Sequence, residues 1–185
     1  MGYGFEKWAR DNIWLFWVCL VINIVMLILI FCMKAARFIF PWNYVLLTVF
    51  TASEAYMVAV VCSYYDPSTV FIAACMTAVV TIALTLYAMF TKRDFSQWIG
   101  MAVGLGSVLL LLLIFGLFFH NRWFEIIICA VGVLVYSIYL IIDTQLIMGK
   151  GTYSLQSDEY VIAAILIYID IIQLFLYILR CIGRS

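Results

Sequence analysis

Three carboxylates stand inside long apolar runs, where an ionised group has little water to solvate it: Glu54, Asp143 and Asp170. An ionisable side chain within a membrane span is costly and faces the bundle interior or a water-filled path, so each is a candidate functional residue. Asp170 is the strongest case. It sits in Ile165-Leu-Ile-Tyr-Ile-Asp-Ile-Ile-Gln-Leu-Phe, roughly 18 Å from a span end by helical rise. On a helix it shares a stripe with Ala163, Ile167, Gln173, Leu174 and Tyr177, which is expected to face protein or water because it holds most of the segment's polar atoms. Asp143 repeats the pattern: Gly132, Tyr136, Tyr139 and Asp143 fall on one face, about 10 Å from Lys150 along the helix. Glu54, in Phe50-Thr-Ala-Ser-Glu-Ala-Tyr, either lines the same path or bonds a neighbour. Glu54, Gln173, Tyr139 and Tyr177 are therefore candidate pore-lining residues, whereas Glu125, near a helix end, reads as interfacial.

The chemistry follows from what two carboxyls do when they meet in a medium of low dielectric. Both cannot ionise cheaply, so the pair shares a proton and titrates as a unit. A shared proton bonds two helices together; its loss, or a divalent cation, separates them. Asp143 and Asp170 thus form a candidate pH-sensitive gate and a candidate calcium-contacting site from the same atoms. The plainer reading is a buried carboxylate satisfied by a tyrosine, by Gln173 or by a basic side chain, without a transport role. It loses weight when three such acids occur in one chain.

The elements that must position these residues are membrane spans. Of the 185 residues, 68% are hydrophobic and 11% charged, whereas soluble domains run nearer half and a quarter. Ten basic residues balance ten acidic ones, which argues against a nucleic-acid partner. A spanning helix takes about 20 mostly apolar residues, and six such runs are predicted: 13–33, 42–65, 67–90, 97–119, 123–148 and 159–182. The expected fold is an all-α integral membrane protein, one domain over 1–185, with the lipid bilayer as its solvent. Pro41 and Pro67 stand at span starts, where the missing N–H costs nothing, and Ser157 is the expected cap of the last span. The first run exceeds the apolar core of a cleavable signal and is followed by Lys34 and Arg37. Gly100, Gly104 and Gly106 lie within a span and read as a close-packing surface rather than a dinucleotide loop. The six cysteines read as free thiols acting as small hydrophobes, and with one histidine, His120, no metal-ligand spacing appears. Lys34, Arg37, Lys92, Arg93 and Lys150 on one set of loops, against Arg122 on the other, put the first set on the cytosolic side.

Several of these segments also carry a resemblance. Pro41-Trp-Asn-Tyr-Val-Leu-Leu-Thr-Val-Phe-Thr51, Ser63-Tyr-Tyr65 and Thr91-Lys-Arg-Asp-Phe95 are followed by a more specific ending. That ending is Tyr139-Leu-Ile-Ile-Asp-Thr-Gln-Leu-Ile-Met-Gly149, then Ser157-Asp-Glu-Tyr160, then Tyr168-Ile-Asp-Ile-Ile172. From about Arg37 to its C-terminus the chain resembles the transmembrane Bax-inhibitor-motif family, in its lifeguard branch. The resemblance implies a compact helical bundle with the last helix central. It also implies calcium leak from endoplasmic reticulum or Golgi stores, with the plasma membrane as the alternative location, and protection from apoptosis as the outcome. Calcium is then the transported ion, no cofactor is permanently bound, and apoptosis-regulating membrane proteins are expected partners. The family's di-aspartyl pH sensor maps onto Asp143 and Asp170. A basic latch residue of bacterial relatives maps onto Lys34 or Arg37. Family members usually have seven helices; the six here correspond to the second to seventh.

Two other classes compete. One is a non-conducting protein that regulates apoptosis by binding partners, its polar residues only locking the bundle. The other is an intramembrane aspartyl protease, since a shared-proton aspartate pair activates water there. Such proteases resemble one another in a Gly-x-Gly-Asp on the second acidic helix, and Asp170 follows Ile167-Tyr-Ile instead. The chain is accordingly read as not an enzyme.

Overall fold

A computed structural model describes residues 11–32, 41–118, 121–149, 152–155 and 159–183, together with Gly4, Lys7 and Trp8. Among them all regular structure is helical: α1 (Ile13–Cys32), α2 (Trp42–Cys62), α3 (Pro67–Phe90), a 3₁₀ turn (Ser96–Trp98), α4 (Ile99–Phe118), α5 (Arg122–Met148) and α6 (Tyr160–Ile182). The six long helices are apolar and long enough to cross a membrane. Large side chains such as Phe71, Val79 and Phe90 on α3 are exposed, as expected where lipid rather than water is the solvent.

The helix ends follow from local chemistry. Pro67 is the first residue of α3. Asn121 caps α5 by accepting from the Trp123 N–H at 3.3 Å, satisfying one of the donors left open at a helix start. Gly149 ends α5 in the left-handed region at φ 64°, its N–H turned back onto Gln145 and Leu146 carbonyls, a conformation that favours glycine. The second span stops at Cys62 rather than Tyr65, because Ser63 Oγ donates to the Val60 carbonyl at 2.7 Å and the next two amides close a tighter turn. The fourth opens in the 3₁₀ turn at Ser96. Ser157, Lys34, Arg37, His120 and Lys150 lie outside the described residues.

The chain divides into two compact units: Met1–Val70 with Gln156–Ile165, and Phe71–Leu155 with Leu166–Ser185. In the first, α1 packs along α2, and Asn23 Nδ2 donates to Ser53 Oγ at 2.9 Å in its buried seam. Asn43 donates to the Tyr160 hydroxyl at the start of α6. In the second, Leu109 of α4, Ile128 and Val135 of α5 and Tyr177 of α6 form an apolar core. Helices α5 and α6 bury 33% and 39% of an 18-residue apolar stretch, against 28% for α2 and 11% for α3, so the helices carrying Asp143 and Asp170 are the best covered.

Three glycines allow close approach in this unit. A Cβ at Gly132 would collide with the Tyr177 ring, one at Gly106 with the Tyr139 hydroxyl and one at Gly116 with the end of the Ile128 side chain. Gly100 and Gly104 meet nothing within 4 Å. The expected packing surface therefore narrows to Gly106, because the face of α4 that meets α5 carries Ala102, Gly106 and Leu109, and Gly100 and Gly104 point elsewhere. All six cysteines are free; Cys129 is buried, Cys19 and Cys62 half-buried, and Cys32, Cys75 and Cys181 exposed.

Candidate functional site

The second unit pairs α5 with α6 in antiparallel register. Cys129 meets Cys181, Gly132 meets Tyr177, the Tyr136 ring stacks on Tyr177 with centroids 5.6 Å apart, and Asp143 meets Asp170. Partners rise along one helix as they fall along the other, so the short connection returns the chain beside itself.

The two carboxyls lie within hydrogen-bonding reach of each other. Asp170 is 4% exposed, and its Oδ2 is buried without a hydrogen-bond partner; Asp143 is half-buried. Among the described residues no lysine or arginine contributes to the environment of either acid. Two neighbouring carboxyl groups away from any cation are costly to ionise together. No third Asp, Glu, His or Cys joins them among the described residues. Two carboxylates offer at most four of the six to eight oxygens that calcium takes, so the pair by itself is not a resident calcium cage.

Tyrosines line this face. Tyr136 and Tyr139 lie within electrostatic range of Asp170, and Tyr139 of Asp143 as well. The Tyr139 hydroxyl donates to the Ala102 carbonyl on α4 at 2.7 Å, tying the ring to the neighbouring helix. Tyr177 is 7% exposed and belongs to the core; Gln173 is half-buried on α6. Glu54 is buried on α2, in the first unit. The structure thus brings together Asp143, Asp170 and Tyr139, while Glu54 belongs to a different unit. The two latch candidates, Lys34 and Arg37, fall outside the described residues.

A second polar cluster lies outside the candidates that the sequence marks. Gln145, two residues beyond Asp143 and 2% exposed, donates to the Arg93 carbonyl at 2.9 Å and accepts from the Phe95 N–H at 2.8 Å. Asp94 accepts five hydrogen bonds. Ser96 N–H and Oγ reach its Oδ1 at 3.0 and 2.6 Å. Thr152 N–H, Thr152 Oγ1 and Gln97 Nε2 reach its Oδ2 at 2.9, 2.7 and 3.1 Å. These bonds, from Ser96 first and then Thr152, hold the Asp94 carboxyl well below the usual carboxylate range. The clasp fastens the α3–α4 connection to the turn after α5. Its sequence signal is the Thr91-Lys-Arg-Asp-Phe95 motif and Gln145 beside Asp143, both of which belong to the segments that carry the family resemblance.

The family model for "Inhibitor of apoptosis-promoting Bax1" matches residues 2–185. The chain is 33% identical to Protein lifeguard 3 of Homo sapiens over 182 residues, covering 96% of this chain and 58% of that protein. Its counterpart from Mus musculus is 30% identical over 181 residues, covering 96% and 59%. Protein lifeguard 4 of Mus musculus is 39% identical over 155 residues, covering 82% and 62%. The chain therefore spans about three-fifths of the length of these relatives. With the aspartate pair on antiparallel helices and a match running from end to end, the chain belongs to the Bax-inhibitor family of multi-pass membrane proteins, alongside the lifeguard proteins.

Proposed function

We propose that this chain is a pH-sensitive calcium leak pathway of an intracellular membrane, endoplasmic reticulum or Golgi, with Asp143 and Asp170 as its gate, and that it protects the cell from apoptosis. The observation that carries the reading is the contact between two intramembrane carboxyls, one of them with an oxygen that has no other partner. While the pair holds a proton, a hydrogen bond joins α5 to α6. As pH rises and that proton leaves, or as a divalent cation displaces it, two like charges face each other and the helices lose that bond. The same unpaired oxygen that makes the pair sensitive to protons makes it attractive to calcium.

The name of the matched family model favours one other reading, in which the chain regulates apoptosis by binding partners and conducts nothing. Calcium efflux from liposomes containing the purified chain, scanned from about pH 5.5 to about pH 8, separates the two. The leak reading expects a pH-dependent efflux whose pH dependence disappears in Asp143→Asn and in Asp170→Asn. Folded protein that passes no calcium at any pH contradicts it and favours the partner-binding reading.

A further inference from the structure

The opposite end of the α5–α6 pair holds two thiols in contact. Cys129, in the second turn of α5, is brought beside Cys181, one residue before the end of α6, by the same antiparallel register that sets Gly132 against Tyr177 and Ile128 and Arg180 on one cavity wall. The two differ in access: Cys129 is 2% exposed, while Cys181 is exposed. A cavity of about 280 Å³ is lined by Ile128 and Arg180, the residues adjoining the two cysteines, with α4 side chains completing its wall. Elsewhere the cysteines have no such arrangement: Cys32 and Cys75 are exposed on other helices, and no other thiol pair is in contact among the described residues.

We propose that Cys129 and Cys181 form a reversible disulfide that staples the start of α5 to the end of α6. The reaction is thiol–disulfide exchange with a small soluble disulfide as oxidant. The Cys181 thiolate attacks one sulfur of that molecule, forming a mixed disulfide and expelling one thiolate. Cys129, already in contact, gives up its proton and attacks the Cys181 sulfur; the S–S bond to the small molecule breaks and its second thiolate leaves, taking the proton. Two protein thiols are oxidised and one small disulfide is reduced to two thiols. Exposure assigns the order of events: Cys181 is the attacking residue and buried Cys129 the resolving one. On the orientation given by the loop charges, this end lies on the non-cytosolic side, where oxidising conditions let such bonds persist. The bond fixes the register of the two helices that carry Asp143 and Asp170, at the end away from the acids. It stands independently of the leak reading.

The test is treatment of the full chain in lipid nanodiscs with oxidised glutathione, followed by alkylation of the remaining thiols and peptide mapping. Wild-type protein is expected to lose two of its six alkylatable thiols, to yield a Cys129–Cys181 linked peptide, and to recover both thiols on reduction. Cys129→Ser, or Cys129→Ala should the serine perturb the apolar site, is expected to trap glutathione on Cys181 as a stable mixed disulfide. Cys181→Ser is expected to leave Cys129 alkylatable only after unfolding. Folded wild-type protein that keeps both thiols, or that accumulates glutathione on Cys181 without the internal link, overturns the proposal. So does glutathione trapped on Cys129 in Cys181→Ser, which would reverse the assigned order.

Discussion

Asp94 and Asp170 are the same side chain in opposite states of satisfaction. Asp94 lies in a connection between spans and has five donors on its two oxygens; Asp170 lies mid-helix, with another acid as neighbour and one oxygen unpartnered. The first arrangement fixes structure, because every hydrogen bond to the ionised form deepens its preference for that form. The second leaves the charge unsettled by any donor or cation outside the pair among the described residues, which is what the proposed gate requires. Burial alone does not mark a functional acid. What distinguishes the pair is that no donor or cation among the described residues has settled its charge.

The contrast can be broken at either end. The largest effect belongs to the pair: Asp170→Asn keeps the shape and a hydrogen bond while removing the second charge, so the leak is expected to lose its pH dependence entirely, read as efflux from liposomes. Next comes Gln145→Ala. It removes the Gln145 partner of the Arg93 carbonyl and the Phe95 N–H, two part-buried bonds of a kind that contributes about 0.5–1.5 kcal/mol each, read as a fall in the thermal midpoint. Gly132→Ala is expected to cost about 1–3 kcal/mol by forcing Tyr177 out of its place against α5, and to disturb the Tyr136–Tyr177 stack. Asp94→Asn turns donors of Thr152 and Gln97 against an amide, so exchange of the Thr152 amide hydrogen is expected to quicken about tenfold while the leak keeps its pH dependence. The smallest effect is Thr152→Val, which removes one of the five bonds and leaves the backbone one in place.

Acid sharpens the same comparison. Asp94 has a folded-state value depressed below that of a free carboxyl, so its contribution to stability is fully present above about pH 3.9, the unfolded value, and is lost only as pH falls through the lower folded one. The Thr152 amide is therefore expected to stay protected as pH falls from about 7 to about 5. Protection lost in that interval would mean that Asp94 is no more settled than the pair.

Much of this was legible from residue order. The six spans needed only run length and polar breaks, and the observed ends differ by a few residues, where Ser63 and Ser96 redirect the backbone. Asp143 and Asp170 stood out because an acid within an apolar run has few cheap explanations. Their contact was not legible, because counting along two helices gives depth only to within a turn and says nothing of rotation; the structure supplies both through the Gly132–Tyr177 fit. The Asp94–Gln145 clasp was not legible either. Its partners are some fifty residues apart in sequence, and Asp94, Ser96, Gln97 and Thr152 have the composition of any solvated loop. Gly100, Gly104 and Gly106 illustrate the same limit, since of these three only Gly106 faces a neighbour, while Gly116, further along α4, meets Ile128.

The most direct test of the central claim is a double-mutant cycle on the leak itself, using Asp143→Asn, Asp170→Asn and the doubly substituted chain in liposomes across the same pH range. If the two acids act as one titrating unit, each single substitution removes the pH dependence and the double substitution removes nothing more. Effects that instead add, with each single variant keeping part of the pH response, would contradict a shared-proton gate and leave Asp143 and Asp170 as two separate acids that happen to touch.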